Sequence, residues 1–218
     1  MSAFPRLSDP AYLSQRRLAA DVRNTAARYA KGRLLDVGCG NRPYEPFFTG
    51  RVVQYVGLDQ DPTNASAELH GSAEKIPARA GSFDTVLSTQ TLEHLARPER
   101  ALSEMARVLA PGGFVILSAP ACFRLHEEPH DYFRFTEHGL TLLLSRVGLD
   151  VVEIRRAPGS LGHAGLVLAG ALAGRPVLWR LIPLVNLFFR AADWLLPDAK
   201  DPANLLVVAR RARRPRAR

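Results

Sequence analysis

Two cysteines, Cys39 and Cys122, stand in 218 residues. That is too few for a disulfide framework, and it excludes the small stapled secreted domains. Also missing is any uncharged apolar run of the roughly 18 residues that a bilayer-spanning helix takes. The most apolar region, 158–202, is broken by Arg175, Pro176, Arg180 and Pro183. The opening MSAFPRLSDP holds no apolar stretch, which predicts a cytoplasmic protein without a signal peptide. Acid is absent from Arg210 to Arg218, where six arginines supply most of a net charge of +8 and leave about +2 elsewhere. No aromatic residue interleaves those arginines to stack on bases, so nucleic acid is not an expected partner. The basic tail, 211–218, reads as solvated, with attraction to anionic lipid as the alternative.

A third glycine is lacking where it would matter most. Leu34-Leu35-Asp36-Val37-Gly38-Cys39-Gly40 is an apolar strand ending in an acid and two glycines, and Val56-Gly57-Leu58 leads to a second strand-end acid, Asp59. Glycines let the backbone approach a ligand closely, and a carboxylate at the next strand end can accept hydrogen bonds from a ribose. A dinucleotide fingerprint requires a further glycine where Pro43 stands, so NAD is disfavoured. Asp36 would repel a pyrophosphate. It suits a cofactor bearing an ammonium and a sulfonium.

The apolar runs 83–88 and 113–118 read as buried parallel strands. Between them Pro98 opens a helix whose stripe is Leu102, Met105 and Leu109, ended by Pro111-Gly112-Gly113. Strand, helix, strand, repeated, gives an α/β parallel sheet. Residues 60–66 are too short for a helical crossover, which predicts a nearly helix-free connection to a very short third strand. An earlier helix is expected to start at Asp9-Pro10 and to stop at Gly32, with Leu18, Val22, Ala26 and Tyr29 as its stripe.

Carried by LLDVGCG, GLDQ, GSAEKIP, FDTVLSTQTLEHL and PERALSEMARVLAPGGFVILSAP, the chain resembles the class I S-adenosylmethionine-dependent methyltransferases. It is closest in pattern to the small bacterial type 11 group of ubiquinone and menaquinone methyltransferases, over roughly residues 32–157. The resemblance implies a Rossmann-like three-layer αβα sandwich with a mostly parallel seven-stranded sheet and an antiparallel last strand. It also implies S-adenosylmethionine as cofactor. The methionine part falls on Asp36, Gly38 and Gly40, the ribose on Asp59 with Gln60 beside it, and the adenine on Ser72 and Ala73. Thr89 completes the cofactor set. The family carries Asp where this chain has Ser72, and Gly where it has Arg42. In related enzymes the leading helix lies over the cofactor as part of a lid; ordinary packing on the sheet accounts for its stripe equally well.

Acceptor chemistry is expected after the fifth strand, because ligands bind at the carboxyl ends of such strands. There two histidines, three acids and two arginines crowd residues 122–136. His126-Glu127-Glu128-Pro129-His130 satisfies the H-E-x-x-H spacing, but Pro129 breaks the helix that would stack the two histidines, so no metal is expected. A hydroxyl acceptor needs a base, which selects His130, then His126, as catalytic candidates. Asp131, Tyr132 and Arg134 would wall the substrate. His94, a family position near the pocket floor, is another candidate there. A brace for the following helix is the alternative reading of the loop.

The class usually joins its last two strands by a tight hairpin; here residues 158–202 intervene, giving a domain of 1–157 plus 203–210. The insertion reads as two helices lying flat, with Arg175, Arg180 and Arg190 among Trp179, Phe188, Phe189 and Trp194. Such a make-up suits a lid or a membrane-contacting cap over an apolar acceptor, with surface contact through 160–196, a homodimer interface, or extra core. The HDYFRFT stretch is similar to sequences of bacterial glycan and lipid-linked polymer biosynthesis. O-methylation of a glycan or lipid-linked small acceptor by in-line transfer with a histidine base is therefore expected, at the inner face of the membrane. The alternatives are C-methylation of a quinone-type acceptor and a cofactor-binding partner protein without turnover.

Overall fold

The computed structural model describes residues 5–198 and 200–211. Most of the basic tail lies outside the described residues. One sheet of seven strands runs in the order β3-β2-β1-β4-β5-β7-β6. The strands are β1 (Arg33–Val37), β2 (Gln54–Asp59), β3 (Leu69–His70), β4 (Phe83–Thr89), β5 (Leu109–Pro120), β6 (Leu149–Ala157) and β7 (Asn204–Arg211). All pairings among β1 to β5 are parallel, while β7 runs antiparallel to both β5 and β6. β3 has two residues and follows a helix-free connection, as its short approach predicts.

Helices cover both faces. α1 (Tyr12–Tyr29) sets Leu18, Val22 and Ala26 against Leu34, Leu87, Ile116 and Val208. α2 (Pro98–Val108) and α3 (Glu137–Arg146) bury Leu102, Met105, Leu140 and Leu144 against Leu35, Val86 and Leu117. Alternate residues of each strand thus feed two separate apolar layers. α1 begins at Tyr12 rather than beside Pro10, because Asp9 Oδ1 accepts the Ala11 amide at 2.7 Å and holds a turn ahead of the helix. α2 ends at Val108. Leu109, expected on its stripe, is extended and pairs with Phe83, so its burial belongs to the sheet.

The insertion forms α4 (Ser160–Ala173) and α5 (Ile182–Leu195). They pack on one another and on the start of α1. A Cβ on Gly165 would fall 2.4 Å from Phe189 Cβ and 2.8 Å from Leu13 Cδ1, so the missing side chain sets how closely the three helices approach. Buried Asn186 donates to the carbonyls of Leu7 and Asp9 at 2.8 and 2.9 Å. Arg190 reaches the Tyr12 hydroxyl at 3.1 Å. The insertion is therefore tied to the N-terminal segment rather than to the sheet.

Candidate active site

The glycine turn after β1 is held by its neighbour strand. Leu58 O accepts the amides of Gly38 and Cys39 at 2.9 and 3.0 Å, and Asp59 Oδ2 accepts the Gly40 amide at 3.0 Å. Gly38 has φ +75°, and a Cβ there would lie 2.5 Å from Thr91 Oγ1. Only glycine meets both conditions. Arg42, standing where the family carries a third glycine, keeps the left-handed backbone at φ 54°. It does so with its side chain over the Tyr55 ring and paired with Glu68.

Above this turn lies a cavity of about 400 Å³, within the usual range for small-molecule sites. Gly38, Gly40 and Asp59 line it with Ala11 just ahead of α1, Ser14, Gln15 and Leu18 of α1, and Thr89 and Gln90 at the end of β4. His94, Phe123, His126 and Glu127 form the far wall. A second, apolar slot of about 180 Å³ shares Ala11 and Phe123 with it and runs between Arg124 and Leu166, Val167 and Gly170 of α4.

Asp36 lies beneath the floor, outside the lining. It is buried, accepts the Tyr55 hydroxyl at 2.5 Å through Oδ2, and has no partner for Oδ1. Burial pushes its carboxyl up to about 7, and the same desolvation, with Asp36 nearby, lifts Tyr44 to about 12. Gln60, Ser72 and Ala73 also fall outside the lining. Ser72 Oγ accepts the Glu74 amide at 3.1 Å, and Ala73 is buried in the core.

The loop after β5 divides the candidate histidines. His130 is exposed; its ring sits 2.8 Å from the Tyr132 hydroxyl, away from the cavity, and only its carbonyl takes part, 2.7 Å from His94 Nδ1. Asp131 is a brace. Its carboxylate meets Arg134 twice at 2.6 Å, accepts the His126 amide at 2.9 Å and lies 3.2 Å from His126 Nδ1. The Arg134 guanidinium holds its carboxyl well below the usual carboxylate range. Tyr132 and Arg134 do not reach the cavity lining. His94 and His126 do, with ring centroids 4.8 Å apart. Glu93, which the sequence reading passes over, lies fully buried behind them, and burial pushes its carboxyl up to about 8. No helical periodicity marks Glu93, since it sits in a single 3-10 turn, Leu92–His94.

Residues 35–117 match a methyltransferase domain family. Over those residues the chain is similar to that family. An uncharacterized methyltransferase of Mycolicibacterium gilvum is 37% identical over 100 residues, which are 39% of this chain and 38% of that protein. One from Mycobacterium sp. strain KMS is 35% identical over 112 residues, 46% of this chain and 44% of that one. The chain thus aligns with under half the length of these relatives. Among solved structures, the chain is similar in fold to an S-adenosylmethionine-dependent methyltransferase of Archaeoglobus fulgidus, with TM-score 0.62, 16% identity, and 89% and 93% of the two chains covered. It is equally similar to the [4+2]-cyclase SpnF, with TM-score 0.63, 19% identity, and 93% and 83% covered. The Rossmann-like methyltransferase fold, seven strands with the last antiparallel, stands as its motifs imply.

Proposed function

We propose that the protein is an S-adenosylmethionine-dependent methyltransferase that methylates an oxygen of a small acceptor carrying an apolar moiety, a lipid-linked glycan unit fitting best. The observation that carries this reading is one cavity lined both by a glycine bend with Asp59 and by two histidines, with an apolar slot that shares Ala11 and Phe123 with it. The residues fit the cofactor. Gly38 and Gly40 line the cavity with backbone at positive φ, the space above Gly40 is open, and the Asp59 carboxylate beside them can accept hydrogen bonds from a ribose.

When bound, the cofactor supplies an already activated methyl group. The protein's own part is alignment, worth up to roughly 7 to 11 kcal/mol in favourable intramolecular cases. Asp59 orients the ribose, and α1 covers the cavity against water. The acceptor's apolar part seats on Leu166 and Val167, which brings its hydroxyl to the His94 and His126 wall. The proton is lost at that wall, and the roles first read for His130, Tyr132 and Arg134 pass to it. Asp131 holds the His126 backbone amide, and the His130 carbonyl orients the His94 ring. The exposed faces of α4 and α5, rich in Leu184, Phe188 and Trp194 with Arg175 and Arg180 near them, meet the lipid surface that holds the acceptor. Among the described residues no helix is long and apolar enough to cross a membrane.

SpnF, whose named reaction is a cyclisation, shares this fold, so the fold does not settle turnover. Labelled S-adenosylmethionine incubated with the protein and bacterial lipid extracts is expected to transfer label to an extractable product. His126→Ala should slow that transfer by roughly 100-fold or more with unchanged cofactor affinity. Cofactor binding without transfer to any fraction would leave a binding protein, and no cofactor binding would end the reading.

A further inference from the structure

Glu93 has a problem that the methyltransferase reading leaves open. It is fully buried, and neither carboxylate oxygen has a hydrogen-bond partner. Buried carboxylates in native proteins are paired or coordinate a metal. The groups nearest to doing so are the two cavity histidines. His94 Nε2 lies 4.0 Å from Glu93 Oε1, and one ligand atom from each of Glu93, His94 and His126 falls within 4.8 Å of the others.

The histidines are also held from behind. His94 Nδ1 lies 2.7 Å from the His130 carbonyl, as metal-binding histidines are oriented through the nitrogen that does not ligate. This contact also gives the exposed His130 a structural use through its backbone. The His126 amide donates to Asp131, itself fixed by Arg134, while the buried His126 Nδ1 has no hydrogen-bond partner.

We propose that Glu93, His94 and His126 form a divalent metal site, with zinc the ion that best suits two imidazoles and one carboxylate, on the acceptor side of the cofactor cavity. Three protein ligands with an open fourth position describe catalytic zinc sites, whereas magnesium prefers oxygen alone. Zinc bonds of roughly 2.0 to 2.1 Å require the ligand atoms to draw together, which small ring rotations and the Glu93 side chain can supply. The H-E-x-x-H spacing plays no part in this: His126 pairs with a residue of another loop, not with His130.

The site deepens the methyltransferase reading and rests on it for its chemistry. The ion would hold the acceptor oxygen and lower its pKa. As the new O–C bond forms, the S–C bond breaks, and the hydroxyl proton leaves to water with no change of oxidation state. The histidines then act as ligands rather than as the base.

The test is zinc titration of the chelator-stripped full chain by calorimetry, repeated with cobalt(II) and its visible absorption bands. One equivalent is expected to bind. Glu93→Gln and His94→Ala should each remove it, and Asp131→Asn should weaken it roughly 10- to 100-fold. Variants are compared only where thermal melting remains cooperative, with His126→Ala as reserve should Glu93→Gln not fold. Cys122→Ser and His163→Ala, both outside the cluster, should bind zinc as the parent does. Absence of the equivalent, or its survival in both Glu93→Gln and His94→Ala, overturns the proposal. A protein that binds zinc at these residues but never binds S-adenosylmethionine keeps the metal site and loses the methyltransferase reading.

Discussion

The sheet and the insertion solve the problem of apolar surface in opposite ways. In the sheet, Leu35, Leu87 and Leu117 have no exposed surface, and short parallel strands are covered on both faces by helices. In the insertion, Trp194 is 78% exposed and Phe188 66%, although α4 and α5 are at least as apolar in sequence. Apolar composition alone therefore does not make core. Burial follows from periodicity matched to a partner, which the strands have on two sides and α5 only where Ile182 and Asn186 face inward. The half with partners carries the candidate cofactor site; the half without them leaves an exposed apolar face, proposed for a lipid surface or a second copy of the chain.

Four measurements sharpen or break that contrast. The largest effect is expected in the sheet half with pH. Asp36 is raised to about 7 by burial, against 3.8 in the unfolded chain. Between those values the native state keeps a proton that the unfolded chain has lost, so stability falls as pH rises and levels off above about 7. From pH 5 to 7.5 Asp36 alone should contribute a drop of roughly 2.5 kcal/mol, read by urea unfolding without cofactor, and Asp36→Asn should remove that share of the slope. Glu93 adds a slope of the same sign, while the lowered Asp131 acts only in acid. A parent chain that gains stability over this range would remove the buried-acid account.

Next, Leu117→Ala should cost about 2 to 5 kcal/mol of unfolding free energy. The matched change in the other half, Phe188→Ala, should stay within about 0.5 kcal/mol. Equal costs would mean that the insertion is covered core. Third, Asp59→Ala should weaken cofactor affinity by roughly 10- to 100-fold by calorimetry, the loss of hydrogen bonds to a charged group. Unchanged affinity would take the ribose role from Asp59. Smallest, Phe188→Ala with Trp194→Ala should reduce co-sedimentation with anionic vesicles severalfold while leaving cofactor affinity alone. A parent chain that ignores vesicles but sediments as a dimer would assign the face to self-association.

The sequence by itself determined the frame. LLDVGCG, the strand-end acids and the runs at 83–88 and 113–118 specify strands and the glycine turn, because glycine turns and β-branched runs act locally. The two-residue β3 followed from the length of its connection. Spacing in the chain did not determine which polar side chains share one space. The loop composition put His130 ahead of His126 as the candidate base, whereas folding sets the His130 ring against Tyr132 and His126 beside His94, more than thirty residues away. It also buries Glu93 with no hydrogen-bond partner for its carboxylate and puts Pro10 and Ala11, Phe123 and α4 on the same slot. These contacts join segments distant in sequence and carry no periodicity, so only packing in three dimensions could decide them.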